Sequence, residues 1–255
     1  SLGNCLAEPR PACAGALTQS AECYKPTSVK WSLSRTVAGL NNSLALRCAY
    51  KFLARSGWRK EGKKLIILIL LLSFLLGSIP NAYLIAKIFY GIDIRNCGSG
   101  NPGATNVWRT AGKIPGTLTF LFDVLKGFIP IFIARKIFPE PSLTYPMLAG
   151  FCAVAGHIWT PFLRFKGGKG VATGYGVFLG LAPLSAIFSL IVFLVVLLIT
   201  KYVALGSITA AISLPIFLFF FNEPVITKYV SVILAIIVVW RHKSNIKKII
   251  AKTED

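Results

Sequence analysis

The sequence predicts an all-α membrane protein, a bundle of seven transmembrane helices, and three observations carry that prediction. The 255 residues are 55% hydrophobic and only 15% charged, whereas soluble domains carry about 25% charged residues. Charges cluster between long uncharged runs such as 65–80 and 181–200, in keeping with the ~20 apolar residues that a membrane-crossing helix needs. Basic residues recur in three places, 91–113, 164–169 and the tail from Arg241, and positive loops belong on the cytoplasmic side of a membrane.

Each span follows from this pattern. Residues 65–90 form the first, bent at Pro80 because proline cannot continue the helical hydrogen-bond ladder. Residues 114–138 and 143–163 form the next two, and 203–221 and 224–240 the last two. Between them, 171–200 contains Ala182-Pro183 and reads as one tilted helix or as two. Charge decides. Two crossings put Arg95, Arg109, Lys113, Arg164, Lys166, Lys169 and Arg241, Lys243, Lys247, Lys248 on one side, with 139–142 and 222–223 opposite. The prediction is seven spans, N-terminus outside and C-terminus cytoplasmic. Lys63, Lys64, Arg135 and Lys136 then fall outside, against the charge rule. The fourth helix, 171–182, rises only about 18 Å at 1.5 Å per residue, so neighbouring helices must shelter it. Gly170, Gly174, Gly176 and Gly180 give spacings suited to close helix contact.

Residues 1–62 differ from the membrane domain, 63–255. They hold four of the six cysteines (Cys5, Cys13, Cys23, Cys48, with Cys97 and Cys152 later) and no apolar run long enough to span. They read as a poorly ordered extension with no assigned function, in which 44–58 has the weak pattern of a basic amphipathic helix. The cysteines form no CxxC pair and have no histidine at zinc spacing, so neither a disulfide framework nor a structural metal is expected. The formal net charge of +19 does not signal nucleic-acid binding. Its lysines and arginines sit between apolar spans, where they orient the chain and attract lipid headgroups and anionic substrates.

Three polar segments hold the candidate chemistry. In the first, Gly98-Ser99-Gly100-Asn101-Pro102-Gly103-Ala104-Thr105-Asn106, small residues let backbone N–H groups approach a phosphate. Arg109 follows with a bidentate fork. A plain glycine-rich turn is the bland alternative. The second is Gly156-His157 followed by Lys166-Gly167-Gly168-Lys169-Gly170 at the start of a helix, where an anion is favoured. It is not the Walker pattern, so nucleotide hydrolysis does not follow; a basic loop that only sets topology is the alternative. His157 reads as a packing residue ahead of a base. The third is Trp240-Arg241-His242-Lys243-Ser244-Asn245-Ile246, where a helical continuation puts His242 and Asn245 on one face; a basic anchor is the alternative. Asp123 and Lys126 lie three apart inside a span, where ionisable groups are costly and need partners or a wet cavity. Asp123 reads as internal support, and for Lys126 both uses stay open.

GSGNPGATNVWR (98–109), GHIWTPFLRFKGGKGVAT (156–173) and RHKSNI (241–246) resemble, in order, the signature segments of the bacterial acyl-phosphate:glycerol-3-phosphate acyltransferases, the PlsY family. The likeness runs from about Lys64 to Ala251 and includes Gly77-Ser78-Ile79-Pro80. It implies transfer of a fatty acyl group from acyl phosphate to glycerol 3-phosphate, giving 1-acyl-glycerol 3-phosphate (lysophosphatidic acid) and phosphate. It implies no cofactor and no metal, membrane lipids as surroundings, and compatibility with functional coupling to an enzyme that makes acyl phosphate. Carried onto this chain, it makes Ser99, Lys169, His242 and Asn245 the catalytic set. Gly100, Asn101, Thr105, Asn106, Arg109, Lys166, Gly167, Gly168 and Gly170 are the expected phosphate binders. Lys169 with the 167–170 amides is the candidate stabiliser of the leaving phosphate. The base for the glycerol hydroxyl stays open between His242 and a substrate phosphate oxygen. Direct transfer is preferred to an acyl-enzyme on Ser99. A membrane transporter of phosphate esters or anions is the alternative function.

Overall fold

The computed structural model describes residues 58–138, 143–251 and 253. The helix expected at 44–58 and nearly all of the extension lie outside the described residues. The first helix already begins at Trp58, so the boundary between 62 and 63 falls inside an element.

Ten α-helices and no strand occur among the described residues. Helices α1 (Trp58–Ser78) and α2 (Asn81–Tyr90) are the two halves of the first expected span, bent by 41° at Ile79-Pro80. Helix α3 (Ala104–Ala111) occupies a segment that the sequence presented as loop. Helices α4 (Lys113–Ile137) and α5 (Thr144–Ile158) follow, and α5 runs into a 3-10 turn at Pro161–Leu163. Helix α6 (Val171–Leu181) is separated from α7 (Pro183–Thr200) by Ala182 alone. Pro183 is tolerated there because the first residue of a helix has no N–H partner to lose. Helices α8 (Val203–Phe220), α9 (Val225–Arg241) and α10 (Lys243–Ile250) complete the order, the last two bent by 54° at His242.

Four helices, α4, α5 with its turn, α7 and α8, are long and apolar enough to cross a membrane, and up to six spans result if each bent pair counts as one. Helix α6 is a shorter apolar helix of 11 residues. Large apolar side chains cover the outer faces, with Leu198, Ile199 and Phe220 exposed at 68%, 77% and 80%. A continuous apolar exterior of this kind requires lipid around it. The protein is a multi-pass helical membrane protein.

The core lies where α4, α5 and α6 meet the start of α7, around Ile131, Met147, Val154, Val177 and Phe178. Helix α6 is sheltered as its length demands. A Cβ on Gly176 would stand 2.0 Å from the Val124 carbonyl oxygen, and one on Gly127 2.1 Å from that of Thr173, so α4 and α6 touch backbone to backbone. The glycine stripe divides in its use. Gly176 and Gly180 pack on α4, Gly174 faces open space, and Gly170 turns the chain into α6 at φ +84°.

The break at Pro80 is held by buried polar groups. Thr160 Oγ1 donates to the Ser78 carbonyl at 2.6 Å, and Lys126 Nζ donates to that of Ile79 at 2.9 Å. Asp123 lies 2.7 Å from Lys126 Nζ and accepts from Asn81 Nδ2 at 3.0 Å. Carbonyls orphaned by the broken helix thus gain donors, and the lysine gains a counter-charge. Asp123 has the supporting part that its position in a span suggested, and it does more, since it also lines the cavity described next.

Candidate active site

Three segments far apart in the chain converge on one cavity of about 210 Å³. Its polar end is lined by Ser99, Asn101, Thr105, Asn106, Arg109, Lys169, Gly170, His242 and Asn245. Its other end runs between α7, α8 and α9 along apolar and small side chains, among them Leu190, Phe193, Ala204, Ala211 and Leu214. A second, more polar recess adjoins it. That recess shares Ser99, Asn101, Lys169 and Asn245 with the first and adds Gly100, Lys166, Gly167, Arg241, Lys243 and Lys248.

The first loop is shaped by Asn106. Gly98 and Gly100 take φ values of +58° and +68°, in the left-handed region that glycine enters at no steric cost. Asn106 is 2% exposed. Its Oδ1 accepts the Ser99 backbone N–H at 2.9 Å, and its Nδ2 donates to the carbonyls of Ile94 and Cys97 at 3.1 and 3.0 Å. The amide that the sequence suggested as a phosphate contact therefore braces the loop around Ser99. Outside the spans, Arg95 grips Asp93 through two hydrogen bonds of 2.9 and 2.6 Å, which hold its carboxyl at about 2. Arg109 stands in the last turn of α3, so the unexpected helix supplies the fork with a rigid base.

The second loop differs from its sequence reading. The N–H groups of Gly167 and Gly168 donate to the carbonyls of Ile158 and His157 at 3.0 and 3.2 Å. Arg241 donates to the carbonyls of the same two glycines at 2.9 and 3.2 Å. With both amides engaged inside the protein, neither is left to cradle a phosphate. A Cβ at either position would stand 2.0 or 2.2 Å from an atom of His157, so glycine serves here for close approach. Lys169 emerges from this pinned loop, and its Nζ donates to Asn245 Oδ1. Lys166 is exposed at the mouth.

The third segment turns at His242, which ends α9 and begins α10. His242 is 3% exposed, and its Nδ1 lies 2.8 Å from the Val238 carbonyl. A carbonyl only accepts, so Nδ1 carries the proton and Nε2 is the basic nitrogen of the neutral ring. His242 and Asn245 both face the cavity as the helical spacing implied. No cluster of three or more His, Cys, Asp or Glu side chains able to hold a metal occurs among the described residues.

Asp123 and His157, both lining the cavity, and Arg241, which grips the glycine loop, complete the surroundings of the site. The signal for Asp123 was its charge within a span. For Arg241 and His157 the decisive contacts are long-range and are not written in the motif.

Three comparisons match this geometry. The family model for glycerol-3-phosphate acyltransferase covers residues 67–252. The glycerol-3-phosphate acyltransferase of Prochlorococcus marinus (strain MIT 9215) is 47% identical over 190 residues, 74% of this chain and 95% of that protein. That of Endomicrobium trichonymphae is 42% identical over 189 residues, 74% of this chain and 94% of its own length. Among solved structures, the crystal structure of PlsY (YgiH), an integral membrane glycerol 3-phosphate acyltransferase, in its glycerol 3-phosphate form aligns with a TM-score of 0.71 and 43% identity, covering 74% of this chain and 94% of that one. Its lysophosphatidic acid form aligns at 0.69 and 42%. With the family model spanning most of the chain and relatives of this identity, the chain belongs to the glycerol-3-phosphate acyltransferase family.

Proposed function

We propose that the protein transfers a fatty acyl group from acyl phosphate to glycerol 3-phosphate, releasing 1-acyl-glycerol 3-phosphate and inorganic phosphate, as an early step of phospholipid synthesis. The observation that carries this reading is one cavity whose two ends differ in chemistry. Cations and short polar arms line one end, and an apolar sleeve between α7, α8 and α9 forms the other. A molecule with a phosphate head and an alkyl tail fits both at once.

In this mechanism Arg109 and Lys169 take the substrate phosphates, with the N-terminal end of α6 adding its dipole. The glycerol hydroxyl attacks the acyl carbonyl carbon. A new C–O ester bond forms, the bond between that carbon and the phosphate oxygen breaks, and phosphate leaves with its growing charge stabilised by Lys169. The hydroxyl proton passes to His242 Nε2 or to a phosphate oxygen. Asn245 holds Lys169 in place, and Ser99 donates from a loop fixed by Asn106. Gly100, Asn101, Thr105 and Gly170 complete the polar wall, and Lys166 draws anions to the mouth.

The same reading gives the protein seven crossings in a bacterial inner membrane, with α1–α2 as the first and α6 and α7 as separate ones. The site and the C-terminus then face the cytoplasm and the N-terminus lies outside. Arg135, on the outer side in this arrangement, has a local reason to be there, since its guanidinium donates to the Gly180 carbonyl at 2.9 Å at the end of α6. Residues before Lys63 add nothing to the reaction in this view. The test is product analysis. Purified protein given acyl phosphate and glycerol 3-phosphate, without metal or nucleotide, makes lysophosphatidic acid. Uptake of glycerol 3-phosphate into vesicles without acyl product would favour transport instead. Single cysteines in a cysteine-free variant test topology with an impermeant thiol reagent: positions 99 and 244 label from the cytoplasmic face, 142 and 223 from the other.

A further inference from the structure

Gly167 and Gly168 sit between two grips. On one side is His157, whose carbonyl accepts the Gly168 N–H at 3.2 Å and whose ring lies flush against Gly168, with Nε2 2.2 Å from where a Cβ would be. On the other is Arg241, which donates to both glycine carbonyls. The next residue is Lys169. Where the lysine stands is therefore decided one residue earlier, by what the Gly-Gly pair rests on.

His157 is itself held from below. It is 7% exposed, and its Nδ1 lies 3.8 Å from Asp123 Oδ1. That distance is too long for a hydrogen bond, and the buried carboxylate flanks the ring by close approach alone. Asp123 is fixed in turn by Lys126 at 2.7 Å and Asn81 at 3.0 Å. Lys126 reaches on to the Ile79 carbonyl at the break between α1 and α2. A continuous chain of contacts thus runs from the bend of the first span, through a buried ion pair, to the loop that presents Lys169.

We infer that His157 is a positioning residue for acyl transfer: its carbonyl and ring edge hold Gly167-Gly168 against α5 and so aim Lys169, while the Asp123–Lys126 pair keeps the ring in place. This rests on the acyltransfer reading above. It assigns the two glycines to loop placement and gives His157 a task other than proton transfer. It also ties the Pro80 break to the site, because the donors that satisfy the broken helix belong to the same buried cluster.

The test is a double-mutant cycle on the full-length protein, assayed with acyl phosphate and glycerol 3-phosphate. His157→Ala lowers kcat by roughly ten- to a hundredfold, the scale of a reacting group displaced by about 1 Å. In a Lys169→Ala background the same change costs less than about threefold, because a residue that acts through Lys169 has nothing left to aim. Equal losses in both backgrounds would overturn the inference, since a purely structural role would slow either protein alike. Unchanged kcat in His157→Ala would overturn it as well. If His157→Ala does not fold, Gly168→Ala replaces it in the same cycle with the same expectation. A wild-type protein that yields no acyl product sinks the acyltransfer reading and the inference with it, whereas an active wild type with multiplying losses sinks the inference alone.

Discussion

Helices α4, α5 and α6 and helices α7 and α8 line the same cavity but are assembled differently. In the first group backbones touch, through Gly127 and Gly176, and Arg135 of α4 donates to the Gly180 carbonyl of α6 at 2.9 Å. In the second the approach is looser, with a Cβ on Gly206 standing 3.1 Å from both the ring and the carbonyl oxygen of Phe193, and a buried bond from Ser189 Oγ to the Ala210 carbonyl at 2.8 Å joins the pair. The most apolar stretches of α4 and α5 are 44% and 61% buried within the protein, against 17% and 22% for α7 and α8. On the proposed reading the difference follows the substrate. Charged groups that stabilise a transition state must be fixed to a fraction of an ångström. An alkyl chain needs only apolar room, because its transfer from water is non-directional.

Five substitutions, with Gly174→Ala as a control, would break or sharpen this contrast. The largest effect belongs to Lys169→Ala, which lowers turnover on the order of 10²-fold or more, as loss of a transition-state donor does. Arg109→Lys is also poor, because a point charge does not replace a fork. Steady-state rates with both substrates check the pair, and a near-normal rate for Lys169→Ala would leave the pinned loop with only a topological task. Next is Gly176→Val, whose branched side chain meets the Val124 carbonyl and costs about 1–3 kcal/mol or more through overpacking. Thermal denaturation in detergent should show a clear fall for it and almost none for Gly174→Ala, where nothing lies within 4 Å.

In the looser half, Ala211→Leu shortens the sleeve. It should lower kcat/KM for long-chain acyl phosphates by roughly tenfold relative to short ones, the scale of a few methylenes denied space, while turnover of the short ones stays near normal. A uniform loss across chain lengths would mean that the sleeve does not hold the tail. The smallest effect is expected of Lys166→Ala. An exposed charge at the mouth changes KM for glycerol 3-phosphate by about threefold at low salt, and the change fades toward 1 M salt, where the Debye length is ~3 Å.

Much of this was legible before any coordinates. The bend at Pro80 and the break at Pro183 follow from a residue that cannot donate, and clustered cations marked the three segments that meet at one cavity. Ser99, Arg109, Lys169, His242 and Asn245 meet because each motif carries polar types that a span cannot hold. What was hidden has a common physical cause. Helix α3 lies behind Asn101-Pro102-Gly103, which reads as loop, and only packing on α4 shows that the next residues are helical. The engaged amides of Gly167 and Gly168 depend on α5 lying alongside, and the grip of Arg241 spans a separation of 74 residues. The sleeve is subtler still. Ala204, Ser207 and Ala211 share one face of α8, but which face of an all-apolar helix meets a cavity is set by its neighbours.

The bond from Lys169 to Asn245 joins positions 76 residues apart, and this bears on how the protein is made. Ribosomes deliver the chain from its N-terminus, so Ser99, Arg109 and Lys169 reach the membrane while α9 and α10 are still unsynthesised. A nascent chain halted after α8 has the cations but lacks His242, Asn245 and the Arg241 clamp that pins the lysine's loop. On the proposed mechanism such a chain is inactive toward acyl phosphate, and activity begins only when the last helix arrives.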